Sequence, residues 1–380
     1  MDRNRAGIDV AQQQGYKAFI PKPLPPTPPL NLDAETIELL SRADTAIGRL
    51  SGISEALPNP DLFVAMYVRK EAVLSSQIEG TEASLEDILE YEVESKPKIL
   101  ANDTAEVVNY VRAMNYGLKR IDKLPLSLRL IREIHAELMK GVRGENKTPG
   151  EFRKTQNWIG PKGCTLNTAR FVPPPPHEMM QAMGELEKYM HSDLTYPLLI
   201  ECALIHYQFE SIHPFLDGNG RIGRLLITFF LCYKGILKKP LLYLSHYFKQ
   251  NRLEYYDCLM VIRDNGDFES WIKFFLKGII YIADEAAQTS HKIINLQNED
   301  KAKIDKIYKK SSKIILLHER LFDRPIVSVK DIVKIMNVTF PTADDICKKL
   351  INLNILKEIT GKERNRMFAY KNYIDILKQE

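Results

Sequence analysis

A mainly α-helical protein with a small mixed α/β unit at its C-terminal end is what these 380 residues predict. Three observations carry that expectation. Apolar residues recur at helical spacing through most of residues 33–321. β-prone pieces around a turn stand out at two places, 157–172 and 356–370. The chain is also too long for one compact core, so two or three domains are expected.

Four regions follow. Residues 1–32 form an N-terminal arm, polar and then proline-dense from Pro21 to Pro29. Such a run reads as an extended, polyproline-like linker lying on the surface. Residues 33–125 form a helical region, with helices near 33–50, 60–79, 84–93 and 103–121. In the second of these Asn59 suits the N-cap, Pro60 the first helical position and Gly80 the position just past the end. Between them Phe63, Met66, Tyr67, Val73, Leu74 and Ile78 lie near helical spacing. Ser84 with Asp87 makes a looser capping box for the third helix.

A core is expected over 126–288. Leu128, Leu130, Ile131, Ile134 and Leu138 mark an amphipathic helix, and His135 within it reads as a core histidine. A hairpin over 157–172 follows, then helices near 177–191, 197–212, 219–235, 245–264 and 267–287. The helix at 197–212 is almost wholly apolar, so it is expected to be central and buried. Residues 289–380 begin with a lysine-rich helix near 289–321. A winged helix-turn-helix pattern then appears: Ser328 caps a helix to Met336, Asn337-Val338-Thr339 turn, and Pro341–Leu353 is the recognition helix. Strands at 356–360 and 366–370 flank a basic wing tip, Gly361-Lys362-Glu363-Arg364-Asn365, suited to phosphate contact. Asp344 and Asp345 would repel a DNA backbone, so a DNA partner and a protein partner both stay open for this unit.

Composition sets outer limits. Hydrophobic content of 44% and charged content of 27% are ordinary for a soluble globular protein. The longest apolar run, Leu225–Tyr233, is far too short to span a membrane, and no apolar segment follows the polar N-terminus as in a secretory signal. Five scattered cysteines without a C-x-x-C pattern fit reduced thiols in the cytoplasm and no zinc finger. Charge is uneven: residues 291–380 carry 19 Lys/Arg against 12 Asp/Glu, whereas the whole chain nets only +4.

The chemistry concentrates in residues 213–224, His-Pro-Phe-Leu-Asp-Gly-Asn-Gly-Arg-Ile-Gly-Arg. Pro214 ends the preceding helix. Gly218 and Gly220 around Asn219 permit positive φ and close approach of a ligand to the main chain. The helix starting there has unpaired N–H groups and a positive dipole end, which together make an anion site. Arg221 and Arg224, at i and i+3, add two cations where the dipole already disfavours them, so a multiply charged anion is implied. Asp217 is a hard oxygen ligand of the kind Mg2+ shares with substrate phosphates. His213 can take a proton near neutral pH. Base, cradle, metal ligand and cations describe hydroxyl attack on a nucleotide phosphate.

This stretch resembles the signature of the Fic family, His-Pro-Phe-x-Asp-Gly-Asn-Gly-Arg-x-x-Arg, enzymes that transfer AMP from ATP to protein hydroxyls. Pro149-Gly150-Glu151-Phe152-Arg153 resembles another element of Fic cores, and Ser75-Ser76-Gln77-Ile78-Glu79-Gly80 resembles the family's inhibitory helix. The resemblance implies a Fic-type helical core with a small β-hairpin flap, placed before a C-terminal winged-helix domain. It implies His213 as general base and Asp217 as the Mg2+ ligand, with Mn2+ as an open substitute. Gly218, Asn219 and Gly220 would hold the α- and β-phosphates, Arg221 and Arg224 the β- and γ-phosphates, and Phe215 would anchor the loop. Ser75, Glu79 and Gly80 belong to the inhibitory motif, in which Glu79 pairs with Arg224 and removes the γ-phosphate's partner. Implied partners are ATP, a target protein docking on the 157–172 flap, and a second copy in a homodimer. Two rival readings remain open: removal of AMP with Glu79 positioning water, and a transcription regulator whose core senses nucleotide.

Overall fold

Helix α7 (Leu198–Ile212) is buried at every position from Leu199 onward, and the other helices are arranged around it. The computed structural model describes residues 3–56, 60–93, 102–161, 163–309, 312–361 and 366–378. Asn59, expected as a cap, Lys162 of the flap and the wing-tip residues 362–365 lie outside the described residues.

From the N-terminus, the chain forms β1 (Gly7–Ala11) and β2 (Lys17–Pro21), then helices α1 (Ala34–Ala56), α2 (Pro60–Ile78), α3 (Leu85–Val93), α4 (Asn102–Ile121), α5 (Leu128–Leu138) and α6 (Pro176–His191) before α7. After it come α8 (Asn219–Tyr233), α9 (Ser245–Gln250), α10 (Arg252–Asn265), α11 (Phe268–Tyr308) and α12 (Ser312–Arg320). The molecule is mainly helical, as expected. Helix starts carry the expected local chemistry. Ser84 and Asp87 cap each other's backbone N–H, at 2.7 and 3.2 Å, and Ser127 Oγ accepts from Leu130 N. Gly80 takes φ 95° where α2 ends.

Three boundaries differ from the sequence expectation. A single helix was expected over 245–264, but Asn251 breaks it: its backbone leaves the helical region, φ −109° and ψ 39°, and its side-chain amide shares Tyr247 O with its own N–H. Conversely, α11 runs unbroken for 41 residues where two helices were expected, so position 288/289 lies inside a helix. Its buried stripe continues through Ala286, Ser290, Ile293, Gln297 and Ile304, and no proline or glycine interrupts it after Gly278. The arm, finally, is not a plain linker. β1 and β2 form an antiparallel hairpin with Ile8 opposite Ile20 and Val10 opposite Ala18, turned at Gly15 with φ 85°. The proline run that follows is fastened to the core: Arg5 binds Glu269 in bidentate fashion at 2.9 and 2.9 Å and also donates to Pro28 O and Pro29 O.

The C-terminal unit comprises β3 (Ile326–Ser328), α13 (Val329–Met336), α14 (Phe340–Asn352), β4 (Lys357–Glu358), β5 (Met367–Ala369) and α15 (Lys371–Lys378). Its sheet has the order β3-β5-β4, with antiparallel pairing throughout. Asp344 and Asp345 are each paired to a lysine one turn on, Lys348 and Lys349. The unit is tied to α11 by buried Asp300, which accepts from Tyr370 Oη at 2.7 Å. It also touches the N-terminal helices: Arg69 on α2 grips Glu92 of α3 in bidentate fashion and lies 3.8 Å from Asp323. Among the described residues, no helix is long and apolar enough to cross a membrane.

Because Arg5 satisfies Glu269 and two proline carbonyls at once, Arg5→Ala leaves a largely buried carboxylate unpaired, a loss of about 3 kcal/mol. Limited proteolysis should then cut within residues 12–30 much faster than in the native protein; an unchanged cleavage rate would contradict this anchoring.

Candidate active site

The loop between α7 and α8 is folded by its own side chains. Asn219 Oδ1 accepts from Phe215 N and its amide donates to Phe215 O, both at 2.8 Å. That reciprocal pair closes the turn, so Asn219 contributes to an anion cradle through its backbone while its side chain is spent inside the loop. Gly218 caps α8 in the left-handed region, φ 78°. Phe215 is fully buried and stacks on His135 with centroids 3.7 Å apart and planes 4° from parallel.

His135 is a core histidine with both nitrogens used. Its Nδ1 accepts from Gly150 N at 2.9 Å, which leaves Nε2 to donate to Asp217 O at 3.0 Å. Burial pushes its pKa down to about 4, so it stays neutral. Arg153 is the residue the sequence reading left without a role. Its guanidinium donates to the main-chain oxygens of His213, Thr155, Pro174 and Ile212, and its N–H donates to Pro214 O at 2.9 Å. Asn157 of the flap adds donations to His213 O and Phe215 O, at 3.2 and 2.9 Å. A buried arginine in a Pro-Gly-x-aromatic-Arg element was the available signal.

These contacts hold His213 at the C-terminus of α7 in the left-handed region, φ 50° and ψ 60°, a conformation that L-residues adopt only when their surroundings impose it. Its Nδ1 is buried without a hydrogen-bond partner among the described residues. Enclosure first, then the charges of Arg153 and Arg263, drive its pKa down to about 3, against a small opposite effect of Glu79. The imidazole is therefore neutral at ordinary pH, so its basic nitrogen carries no proton.

Glu79 and Ser75 meet Arg224 across this loop. Arg224 Nε donates to Ser75 Oγ at 2.8 Å, and Nη2 donates to Ser75 O at 2.9 Å and to Glu79 Oε1 at 2.7 Å. The carboxylate also lies against the first turn of α8, where a Cβ added at Gly220 would collide with Glu79 Oε1. Burial alone would raise the Glu79 pKa, but Arg224, through charge and hydrogen bond, and then Arg221 and His213 bring it below its ordinary value. The anion site thus already holds an anion of this chain.

The two arginines are not equivalent. Arg221 is buried against Glu106 of α4 at 3.1 Å and sits 3.5 Å from Asp217 Oδ1; its Nε has no partner. Asp217 is partly exposed, with Oδ1 accepting from Gly218 N at 2.6 Å. Among the described residues, no group of three or more His, Cys, Asp or Glu side chains is placed to hold a metal. A lone exposed carboxylate at the phosphate end is nonetheless the donor set expected of Mg2+ shared with a nucleotide.

Comparison with known proteins places this geometry. Residues 37–119 match the Fic/DOC family N-terminal region and residues 125–231 match the Fic/DOC family itself. The chain belongs to the Fic/DOC family. It is 29% identical to "Protein adenylyltransferase Fic" of Drosophila mojavensis over 292 residues, 72% of this chain and 53% of that one. It is also 29% identical to a probable protein adenylyltransferase of Aquifex aeolicus over 181 residues, 46% of this chain and 51% of that one. The chain spans between about a third and a half of the length of the curated relatives it matches. A crystal structure of a Fic family protein from Desulfovibrio desulfuricans shares the fold, with a TM-score of 0.59 and 18% identity over 90% of this chain and 97% of that one.

Two buried glutamates flank the site, Glu210 on α7 and Glu71 on α2. Glu210 lies one turn before His213, its Oε1 buried without a partner, and burial pushes its pKa up to about 7. Glu71 sits one turn before Ser75 on the same face of α2 and accepts from Tyr110 Oη and Ser245 Oγ, at 2.8 and 2.5 Å. Burial, only partly offset by these bonds and by Arg224, raises it from 4.5 to about 7. As pH climbs from 4.5, the unfolded chain ionises Glu71 first, so the stability gained by keeping it neutral is lost progressively up to pH 7. Glu71→Gln cannot ionise. Its melting temperature relative to the native protein should therefore rise between pH 4.5 and 7 and level off above; a difference independent of pH would contradict the assignment.

Proposed function

We propose that this Fic protein is a protein adenylyltransferase that moves AMP from ATP to a Ser, Thr or Tyr hydroxyl of a target protein and of itself, and that Glu79 holds it inactive. The observation that carries the reading is the Glu79 carboxylate on Arg224 and against Gly220, at the N-terminus of α8. The relatives' name, protein adenylyltransferase, gives the chemistry.

In the reaction, neutral His213 takes the proton of the target hydroxyl as its oxygen attacks the α-phosphorus of ATP. The bond from that phosphorus to the α,β-bridging oxygen breaks, and pyrophosphate leaves with that oxygen. The N–H groups of the first turn of α8 hold the phosphates, and Arg224, once free of Glu79, grips the terminal one. Arg221, fixed by Glu106, lends charge without having to move. Asp217 would hold Mg2+, which when bound neutralises charge on the leaving diphosphate. Arg153 and Asn157 keep the His213 carbonyl fixed, so the base does not swing away. The flap over 157–172, bridged by Ile159 and Phe171, supports target docking through main-chain hydrogen bonds. The C-terminal unit has a helix pair followed by two paired strands, as a winged helix would. The pairing of Asp344 and Asp345 with lysines leaves DNA or a protein as its partner.

With ATP labelled on the α-phosphate, Glu79→Gly should label itself at least tenfold more than the native protein. Adding His213→Ala should abolish the label, since a general base contributes about 10²–10⁴-fold. Absence of label on Glu79→Gly with any nucleoside triphosphate would contradict this function.

A further inference from the structure

An open cavity of about 460 Å3 lies between the N-terminal hairpin, the flap and α10, apart from the nucleotide cradle. The hairpin is bound to the flap. Phe19 N donates to Val172 O at 2.9 Å, the Phe19 and Phe171 rings are 5.9 Å apart, and Tyr16, Ala18 and Val172 share a small apolar cluster. The expected flap is therefore wider than residues 157–172, because β2 extends it.

The cavity is lined by four cations, Arg3, Lys17, Arg170 and Arg263, and two carboxylates, Asp9 and Asp264. Arg3 is paired with Asp9, and Arg170 with Asp257 of α10. Lys17 and Arg263 have no ion pair among the described residues and face the single carboxylate of Asp264.

Arg263 forms the floor and is only 6% exposed. Its guanidinium lies 3.7 Å from the Phe171 ring centroid, Nε donates to Ser211 Oγ at 3.3 Å and Nη1 reaches only the Met260 sulfur. Beyond these contacts it lies beside the Tyr207 hydroxyl and within reach of the Glu210 and Asp264 charges, without a direct ion pair among the described residues. Burial still outweighs these and holds the guanidinium below its ordinary pKa, a desolvation cost that an arriving anion offsets. Ser211 is two residues before His213, so this floor adjoins the end of α7 that carries the proposed base.

We propose that this cavity is a specificity pocket that takes an acidic side chain of the target protein, flanking the hydroxyl to be modified. The proposal rests on the adenylyltransferase reading and deepens it. The N-terminal hairpin, through Lys17, and α10, through Arg263, then belong to the target-binding surface. Arg263 is a positioning and recognition residue, without contact to the reacting atoms. Carboxylate rather than phosphate is favoured, because Asp264 on the rim opposes a doubly charged group more than a singly charged one.

The test uses full-length Glu79→Gly, ATP labelled on the α-phosphate, and peptides with a fixed Ser, Thr or Tyr and one varied flanking position. Asp or Glu at one position should be labelled about five- to tenfold more than Asn or Gln there, the scale of a partly enclosed ion pair. Exposed Lys17 tolerates charge reversal, whereas buried Arg263 does not, so the decisive variant adds Lys17→Glu, which should turn the preference toward Lys or Arg. Equal labelling of acidic and amide peptides, or an acidic preference unaltered by Lys17→Glu, would overturn the pocket while leaving adenylyl transfer standing. No label on either peptides or protein would overturn adenylyl transfer and the pocket with it.

Discussion

One ion pair governs the rest of the molecule: Glu79 on Arg224 at the N-terminus of α8. Arg224 is buried and Glu79 about one third exposed, so the carboxylate offsets the desolvation of the guanidinium, and removing it leaves an unpaired buried charge. A nucleotide phosphate would meet the same guanidinium and the same helix dipole, and must compete for them with a carboxylate already covalently part of the chain. That competitor is held at high effective concentration by α2, which is itself packed against α4 and α9. The long N-terminal helices therefore serve as the support that keeps one side chain in place.

The catalytic loop is prepared independently of that block. Arg153, Asn157, Asn219 and His135 satisfy its carbonyls and fix its strained turn, and none of the four touches Glu79 in this structure. Removing the block would leave the base, the cradle and Asp217 where they are. Under the proposed function, inhibition would amount to occupation of an assembled site rather than its disassembly. Buried charge is tolerated close to His213 because Arg153 donates to four main-chain oxygens and Arg221 is paired with Glu106, which spares the loop from rearranging around them.

Much of this was legible in the sequence, for physical reasons that differ by element. Helical periodicity located α2 to α8 to within a few residues because their apolar stripes face one core. The loop residues could be read because phosphate chemistry needs base, glycine and arginine at fixed spacing. The N-terminal hairpin was missed. Ile8-Asp9-Val10 does alternate, but its partner strand is short and ends in the proline run, and only the flap's Phe171 gives Phe19 somewhere to pack. The break at Asn251 depends on a side chain that could equally have faced solvent. The continuity of α11 was hidden by a change in composition, apolar to lysine-rich, that leaves the buried stripe intact. A motif flags Arg153, but its role and that of Glu106 could not be read for a simpler reason: their partners lie 60 and 115 residues away.

The most direct test of the governing ion pair is calorimetric titration of ATP, with Mg2+, into the native protein and Glu79→Gly. Binding of one ATP per chain, about tenfold or more tighter in Glu79→Gly, is the predicted result. Equal affinity in the two proteins, or no uptake by Glu79→Gly, would contradict it.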